Sequence, residues 1–392
     1  MIPFQMHPLG LVIQPDPNNP YEVEGILNPA AARGPDGELY LFPRMVGAGN
    51  FSRIGIARVL FDKAGDPCDI ERLGIALEPE MPYELWPNGQ GGCEDPRVTF
   101  VEPLQRYVMS YTALSPEGPR IALAVSKDLF SWHRLGLASF TPYEGIEFNG
   151  IKNKDAVSFP LAIPNPSGDL ELAILHRPLF PGTLPEDNAT RDENRKVNVH
   201  RQSIWISYSS LALAGTDPRQ LSRFTSHHRL AAPVSPWENL KIGCGTPPIM
   251  TRHGWLIVYH GVSNVAQPNS EEHRLTYSAG VMMLSREHPQ ELLYRSTEPV
   301  LTPNSSEQRP GTFANVVFPT GIDRRVDIDR PHRYDIYYGI NDFCIGVGRL
   351  EVPPTIPRQP KLAPLVRADI RPREQRSELN DRDVSVGLFP CP

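Results

Sequence analysis

The 392-residue sequence predicts an all-β protein, read as a five-bladed β-propeller, and three observations carry that prediction. β-branched and aromatic runs recur along the chain with short turns between them, the mark of successive strands. No long amphipathic period competes with them. Proline, at 43 residues, interrupts any extended helical pattern, because its ring removes an amide donor and clashes with the preceding turn. A β-sandwich, or two stacked all-β domains, is the alternative reading of the same pattern.

Taken in order, GELYLFPRMV is followed by RIGIARVLFD, then by RVTFVEPLQRYVMSYTAL and RIALAVSKDLFSWHRLG. DAVSFP, LELAILHRP and SIWISYSS come next, then PPIMTRHGWLIVYHGV and TYSAGVMMLS; ANVVFPTG, YDIYYGIND and CIGVGRLEV close the series. These runs group into about five units of roughly 50 to 90 residues. Each unit has an inner strand, a stronger apolar strand ending in a polar or basic residue (FPR, MSYTA, LHRP, VYHG, YYGIND), and a further strand of the IGIAR or IALAVS kind. Small sheets repeated around a central channel produce that rhythm. Met282 and Met283 read as core. Two stretches break the pattern. Residues 181–200 are polar and charged and read as an inserted surface loop. Residues 352–392 are rich in Pro and Arg without periodicity, and read as an extension, without a core of its own, to a catalytic domain over 1–351.

Composition narrows the function classes. Apolar residues at 40% and charged residues at 21% give a soluble globular balance. A formal net charge of −6 argues against nucleic acid or an anionic membrane as the main partner. The N-terminal residues lack a basic region followed by an apolar one, so no secretory signal is expected, and no apolar stretch is long enough to span a bilayer. The five cysteines are odd in number and have no CxxC spacing. That argues against a disulfide framework and a structural zinc site, so a reducing compartment, the cytoplasm, is expected.

In a propeller the inner-strand ends converge on one mouth. The polar residues at those ends are Asn28, Arg44, Arg53, Glu94, Asp95, Arg97, Lys154, Asp155, His176, Arg177, Lys241, His260, Tyr277 and Asp342. Singly each has a plain reading: Arg44 and Arg177 as surface ion-pair partners, His260 as a core-edge histidine, Asp342 as a turn aspartate. Together they offer more. An acid can protonate the leaving oxygen of a glycosidic bond, while Arg177, Lys241 and His260 with a tyrosine hydroxyl suit an oxyanion such as phosphate. One acid plus an anion cradle is the equipment of phosphorolysis. The stretch GGCEDPRVTF is the densest of these: Asp95 is expected to project into the channel, Pro96 to fix the turn, and Glu94 and Arg97 to hold the geometry. A neighbouring arginine lowers a carboxyl pKa and a neighbouring acid raises it.

The set ILNPAAA, FPRMV, SRIGIAR, GCEDPRV, NKDAVSFP, LHRP, KIGCGTPPI, GWLIVYHGV, YSAGVMML and YYGINDFCIGVGRL, running from about residue 26 to 350, resembles glycoside hydrolase family 130. That family comprises β-mannoside phosphorylases and related β-mannosidases. The resemblance implies a five-bladed propeller with its active site at the central mouth, no metal or organic cofactor, and an inverting transfer of a non-reducing β-mannosyl unit to phosphate. It implies that Asp95 is the general acid, acting through a sugar hydroxyl. It places Asn28, Arg44 and Asp342 on the mannose, with Arg53, Glu94 and Asp155 among the substrate contacts. Arg177, Lys241, His260 and Tyr277, with Lys154, make the phosphate cradle. The Lys154–Asp155 pair stands where Arg–Asn is expected as readily. A β-mannosidase using water is the nearest rival, and a non-catalytic carbohydrate-binding propeller the next. The partners implied are a β-mannoside oligosaccharide and phosphate, with a homo-oligomer left open through the Pro-rich extension.

Overall fold

A computed structural model describes residues 4–87, 89–180, 202–266, 273–303 and 315–357. The expected insertion at 181–200 and residues 358–392 of the C-terminal extension lie outside the described residues. The fold is all-β, and the α-helix described, α1 (Leu211–Thr216), is short. Strand β1 (Met6–Ile13) precedes five antiparallel units. The first is β2 (Gly25–Arg33), β3 (Leu39–Gly47), β4 (Phe51–Phe61) and β5 (Pro67–Leu77). The second is β6 (Gly91–Val101), β7 (Arg106–Ser115), β8 (Gly118–Ser126) and β9 (His133–Leu137). Past β10 (Ser139–Phe140), the third contains β11 (Asn153–Ser158), β12 (Ile163–Pro164), β13 (Leu170–Pro178), β14 (Ile204–Ser209), β15 (Arg223–Phe224) and β16 (Ser226–Ala231). Of these, β15 pairs with β10 outside the main sheet. The fourth has β17 (Lys241–Gly243), β18 (Ile249–Thr251), β19 (Gly254–Ala266), β20 (His273–Leu284) and β21 (Leu292–Arg295). The fifth is β22 (Val317–Arg324), β23 (Arg333–Ile340) and β24 (Cys344–Glu351), completed by β1, which pairs antiparallel with β24.

The core explains why the strands read as continuous apolar runs. Five buried clusters lie between consecutive units, and the last of them joins the fifth unit to the first. Along β19 the side chains alternate between two of these clusters. Trp255, Ile257 and Tyr259 pack toward the third unit, while Leu256 and Val258 pack toward the fifth. A strand buried on both faces carries no polar alternation. At about 25 cal/mol per Å² of apolar area removed from water, these interfaces are the main favourable contribution to folding.

Polar residues enter the first strands of the units through bulges. Register shifts fall between Leu27 and Ala30 in β2, Glu94 and Arg97 in β6, and Lys154 and Val157 in β11. Each shift holds one residue in the left-handed region: Asn28 (φ 46°), Asp95 (φ 47°) and Asp155 (φ 57°). Asn and Asp tolerate that conformation better than other side chains, and a bulge re-aims the side chain that occupies it. Such residues cost on the order of 1–3 kcal/mol of local strain and persist where the surroundings fix them.

Candidate active site

The bulged residues meet. Asn28 Nδ2 donates to Asp95 Oδ1 at 2.7 Å, tying the first unit to the second. Arg44, near the end of β3, reaches the same place: its Nη2 lies 2.6 Å from Glu94 Oε1 and its Nη1 lies 3.5 Å from Asp95 Oδ1. Arg44 is itself oriented by donating to Ser52 Oγ (2.9 Å) and Asn50 Oδ1 (3.3 Å). Asp342, left-handed at φ 50°, stands in the turn between β23 and β24. Burial, with Asp95 and Glu94 adding and Arg44 opposing, pushes its carboxyl up to about 6. Burial likewise raises Glu94 against the pull of Arg44. Arg44 is therefore shared among three carboxylates, Glu94, Asp95 and Asp342.

A second cluster is built by the third and fourth units. Arg177 Nε donates to Asp155 Oδ2 at 2.7 Å, and Arg177 Nη1 donates to Gln202 Oε1. His260 Nε2 stands 3.6 Å from the same Asp155 oxygen. Burial would raise the Asp155 carboxyl, but Arg177, His260 and Lys154 hold it well below the usual carboxylate range. His260 is pushed the other way: burial outweighs Asp155 and keeps the imidazole neutral. Gly243 is required here by close approach, since a Cβ at that position would lie 2.3 Å from Asp155 Oδ2 and 2.4 Å from His260 Cε1. Lys241 places Nζ 5.3 Å from the centre of the Tyr277 ring. Burial, then Arg177 and Lys154, lower its amine to about 7 despite Asp155. Lys154 and Arg177 are direct cross-strand partners in β11 and β13. Like charges placed opposite each other destabilise a sheet, so this cationic pairing suits an anion.

Several buried polar atoms in the two clusters have no hydrogen-bond partner among the described residues: Asn28 Oδ1, Asp155 Oδ1 and both ring nitrogens of His260. Buried polar atoms are nearly always satisfied, so their concentration here marks the region as one shaped for chemistry rather than for packing.

Two candidates, Arg53 and His176, are placed elsewhere, and a third, Arg97, stays beside Asp95 through its backbone. Arg53 alternates with Arg44 across the first sheet, since it pairs with Met45 while Arg44 pairs with Ile54. Its guanidinium is bound by Glu78 at 2.6 Å and lies between the Tyr21 and Phe51 rings at 4.6 and 4.5 Å, so no direct contact links it to the Asp95 cluster. His176 faces away from its neighbour Arg177. It bonds Ser207 Oγ at 2.6 Å and the Asn153 side chain, and stacks on Phe140, a satisfied interior histidine. Arg97 does not pair with the Asp95 carboxylate but donates to its backbone oxygen at 2.7 Å. Sequence reasoning passed over Gln202, Ser52 and Gly243. Gly243 had a legible signal in the KIGCG run; the other two look like ordinary strand polar residues.

A protein-family model described as beta-1,4-mannooligosaccharide phosphorylase, that of glycoside hydrolase family 130, matches residues 7–354. The chain belongs to glycoside hydrolase family 130. A 1,2-beta-oligomannan phosphorylase of Thermoanaerobacter sp. (strain X514) is 28% identical over 350 residues, covering 87% of this chain and 95% of that protein. Among solved structures, the beta-1,2-mannobiose phosphorylase of Listeria innocua, in complex with beta-1,2-mannobiose, superposes with a TM-score of 0.63 at 22% identity, over 89% of this chain and 97% of that one. A family 130 structure described with glycoside hydrolases that target beta-1,2 mannosidic linkages in Candida mannan has the same TM-score of 0.63 at 22% identity, covering 92% and 97% of the two chains. At these identities the structural matches establish a shared fold. No helix among the described residues is long and apolar enough to cross a membrane.

Proposed function

We propose that this family 130 enzyme is an inverting β-mannoside phosphorylase that uses inorganic phosphate as co-substrate and no other cofactor. The five units are the blades of a five-bladed propeller, and the two clusters sit at its mouth. Asp95 is the general acid. Its proton passes through a sugar hydroxyl to the glycosidic oxygen as the C1–O bond breaks. A phosphate oxygen bonds to C1 from the opposite face, giving α-mannose 1-phosphate and the shortened sugar. Asn28, Arg44 and Asp342 hold the mannose. Arg177, Lys241 and Lys154 receive the phosphate beside Tyr277, with His260 behind them.

The observation that carries this reading is the cross-strand pairing of Lys154 with Arg177, with Lys241 close enough to both to lose basicity. Three cations share one carboxylate, Asp155, and its Oδ2 is already held by Arg177. An inverting hydrolase needs a carboxylate free to activate water opposite the acid. Asp155, buried and bound to a guanidinium, is poorly suited to that task, which favours phosphorolysis over the β-mannosidase reading. The phosphorylase relative supports the same choice. Incubation with α-mannose 1-phosphate and a panel of mannose and glucose acceptors should release phosphate. Release of mannose from β-mannosides at a rate indifferent to phosphate would overturn the proposal and leave hydrolysis.

A further inference from the structure

The EDPR and KIGCG runs meet at one buried side chain. Arg97 is 1% exposed and has no carboxylate partner within salt-bridge distance among the described residues. Its guanidinium instead donates to three backbone carbonyls: Nη1 to Asp95 O at 2.7 Å, Nη2 to Cys244 O at 3.1 Å and Nε to Gly245 O at 3.1 Å. The last two acceptors are 147 and 148 residues away in sequence. The Phe318 ring, 5.4 Å from the guanidinium carbon, closes the remaining side and also packs against the His260 ring at 4.4 Å. Arg97 thus touches the left-handed bulge that aims Asp95 and the segment that carries Gly243 beneath Asp155 and His260.

The receiving segment has little freedom. A Cβ on Gly245 would meet Val258 O at 2.2 Å and Pro319 O at 2.9 Å, so the backbone is pressed against both the fourth and fifth units. Thr246 N donates to Val258 O at 2.9 Å just beyond it. A lysine in place of Arg97 supplies the charge but not the planar fork that spans three acceptors in fixed geometry. Removing the fork leaves buried carbonyls unpaired on both sides of the joint.

We propose that Arg97 is a positioning residue that sets the acid of the second unit and the anion cradle of the fourth in one register, so that both halves of the reaction depend on it. This inference rests on the phosphorylase reading of the site. Reacting groups must be placed to within a fraction of an ångström, and a shift of about 1 Å costs on the order of 100-fold in rate.

The test uses the full-length enzyme and the variants Arg97→Ala and Arg97→Lys, with β-mannobiose and inorganic phosphate as substrates. Both variants should lose about 100-fold in kcat and show a phosphate KM raised about tenfold, with the mannoside KM changed less. Free guanidinium at non-denaturing concentration should restore part of the Arg97→Ala rate and none of the Arg97→Lys rate. Hydrogen exchange, read without turnover, should accelerate together at residues 95–98 and 242–246. If Arg97→Ala does not fold, Arg97→Lys carries the kinetic and exchange readouts. Folded variants with kcat and phosphate KM within about twofold of the parent, or faster exchange in one segment alone, would overturn the proposal. Coupled acceleration of exchange in the variants, beside a wild-type protein that phosphorolyses no β-mannoside, would sink the phosphorylase reading and leave the joint standing.

Discussion

Two buried charge clusters, one near the entrance end of the strands and one near the other end, use the same residue types to opposite effect. At the far end, Arg33 donates to both Asp323 oxygens at 2.9 and 2.6 Å. Arg325 donates to Asp335 Oδ2 at 2.5 Å, Arg333 donates to Asp335 Oδ1 and Oδ2 at 2.9 and 3.1 Å, and Arg333 and Arg349 share Asp66 Oδ1 at 2.6 and 2.7 Å. Asp66 and Arg33 belong to the first unit and the others to the fifth, so this network fastens the seam between those two units. Both oxygens of Asp323 and of Asp335 are answered. Near Asp95 three carboxylates crowd one guanidinium, near Asp155 three cations crowd one carboxylate, and buried oxygens and nitrogens are left over. At the joint the Asp323 and Asp335 oxygens are saturated and Arg349 Nε is left over; near the candidate site it is carboxylate, amide and imidazole atoms that remain open, as in a place prepared for something else.

That contrast can be broken most sharply at the acid. Asp95→Asn should cut phosphorolysis and reverse synthesis by about 1,000-fold, within the range expected for a general acid, with an unchanged thermal melt. Retention of most of the rate would remove Asp95 from its role. At the seam the outcome should invert. Asp335→Asn removes the carboxylate that Arg325 and Arg333 share, leaving them Asp327 and Asp66, and should lower unfolding free energy by about 2–3 kcal/mol in denaturant titrations. An unaltered midpoint would show that the network is not a fastener.

Smaller effects sharpen the cationic side. Lys241→Ala should raise the phosphate KM about tenfold while moving the mannoside KM little, the loss of one charge-assisted contact. Equal changes in both constants would argue against a dedicated anion cradle. The smallest effect is a slope. Because burial and the neighbouring Arg177 and Lys154 lower the Lys241 amine to about 7, it is charged below that pH and neutral above it. The phosphate KM should therefore climb as pH rises through neutrality, and Lys241→Ala should flatten the climb after the anion's own ionisation, common to both proteins, is divided out. Superimposable profiles would show that this amine does not titrate against the ligand.

Much of the architecture was visible before any coordinates, for a physical reason. Sheets stacked side by side bury both faces of their central strands, so WLIVY and VMML appear as unbroken apolar runs that half-exposed strands do not produce. The carboxylates and cations that meet in the two clusters were legible as residue types in the motifs EDPR, HRP and KIG. Less visible was which way each side chain points. Arg44 and Arg53 look alike in sequence, yet strand pairing puts them on opposite faces. His176 and Arg177 are neighbours, and period-two alternation sends one into the interior and the other toward Asp155. The three bulges at LNPA, EDPR and KDAV form a recognisable series only once their register shifts are known. The acceptors of Arg97 and the members of the seam lie too far apart in sequence for any local pattern to pair them.

The pairing of β1 with β24 also bears on how the molecule is made. Residues 6–13 are synthesised before the other described strands, yet their hydrogen-bonding partner, 344–351, is the last of the described strands to be made. Until then the earliest segment has an open edge and no sheet to join. A ribosome that stalls short of residue 344 therefore leaves an unlatched arc, exposing the apolar flanks of its first and last completed units to solvent and to quality control.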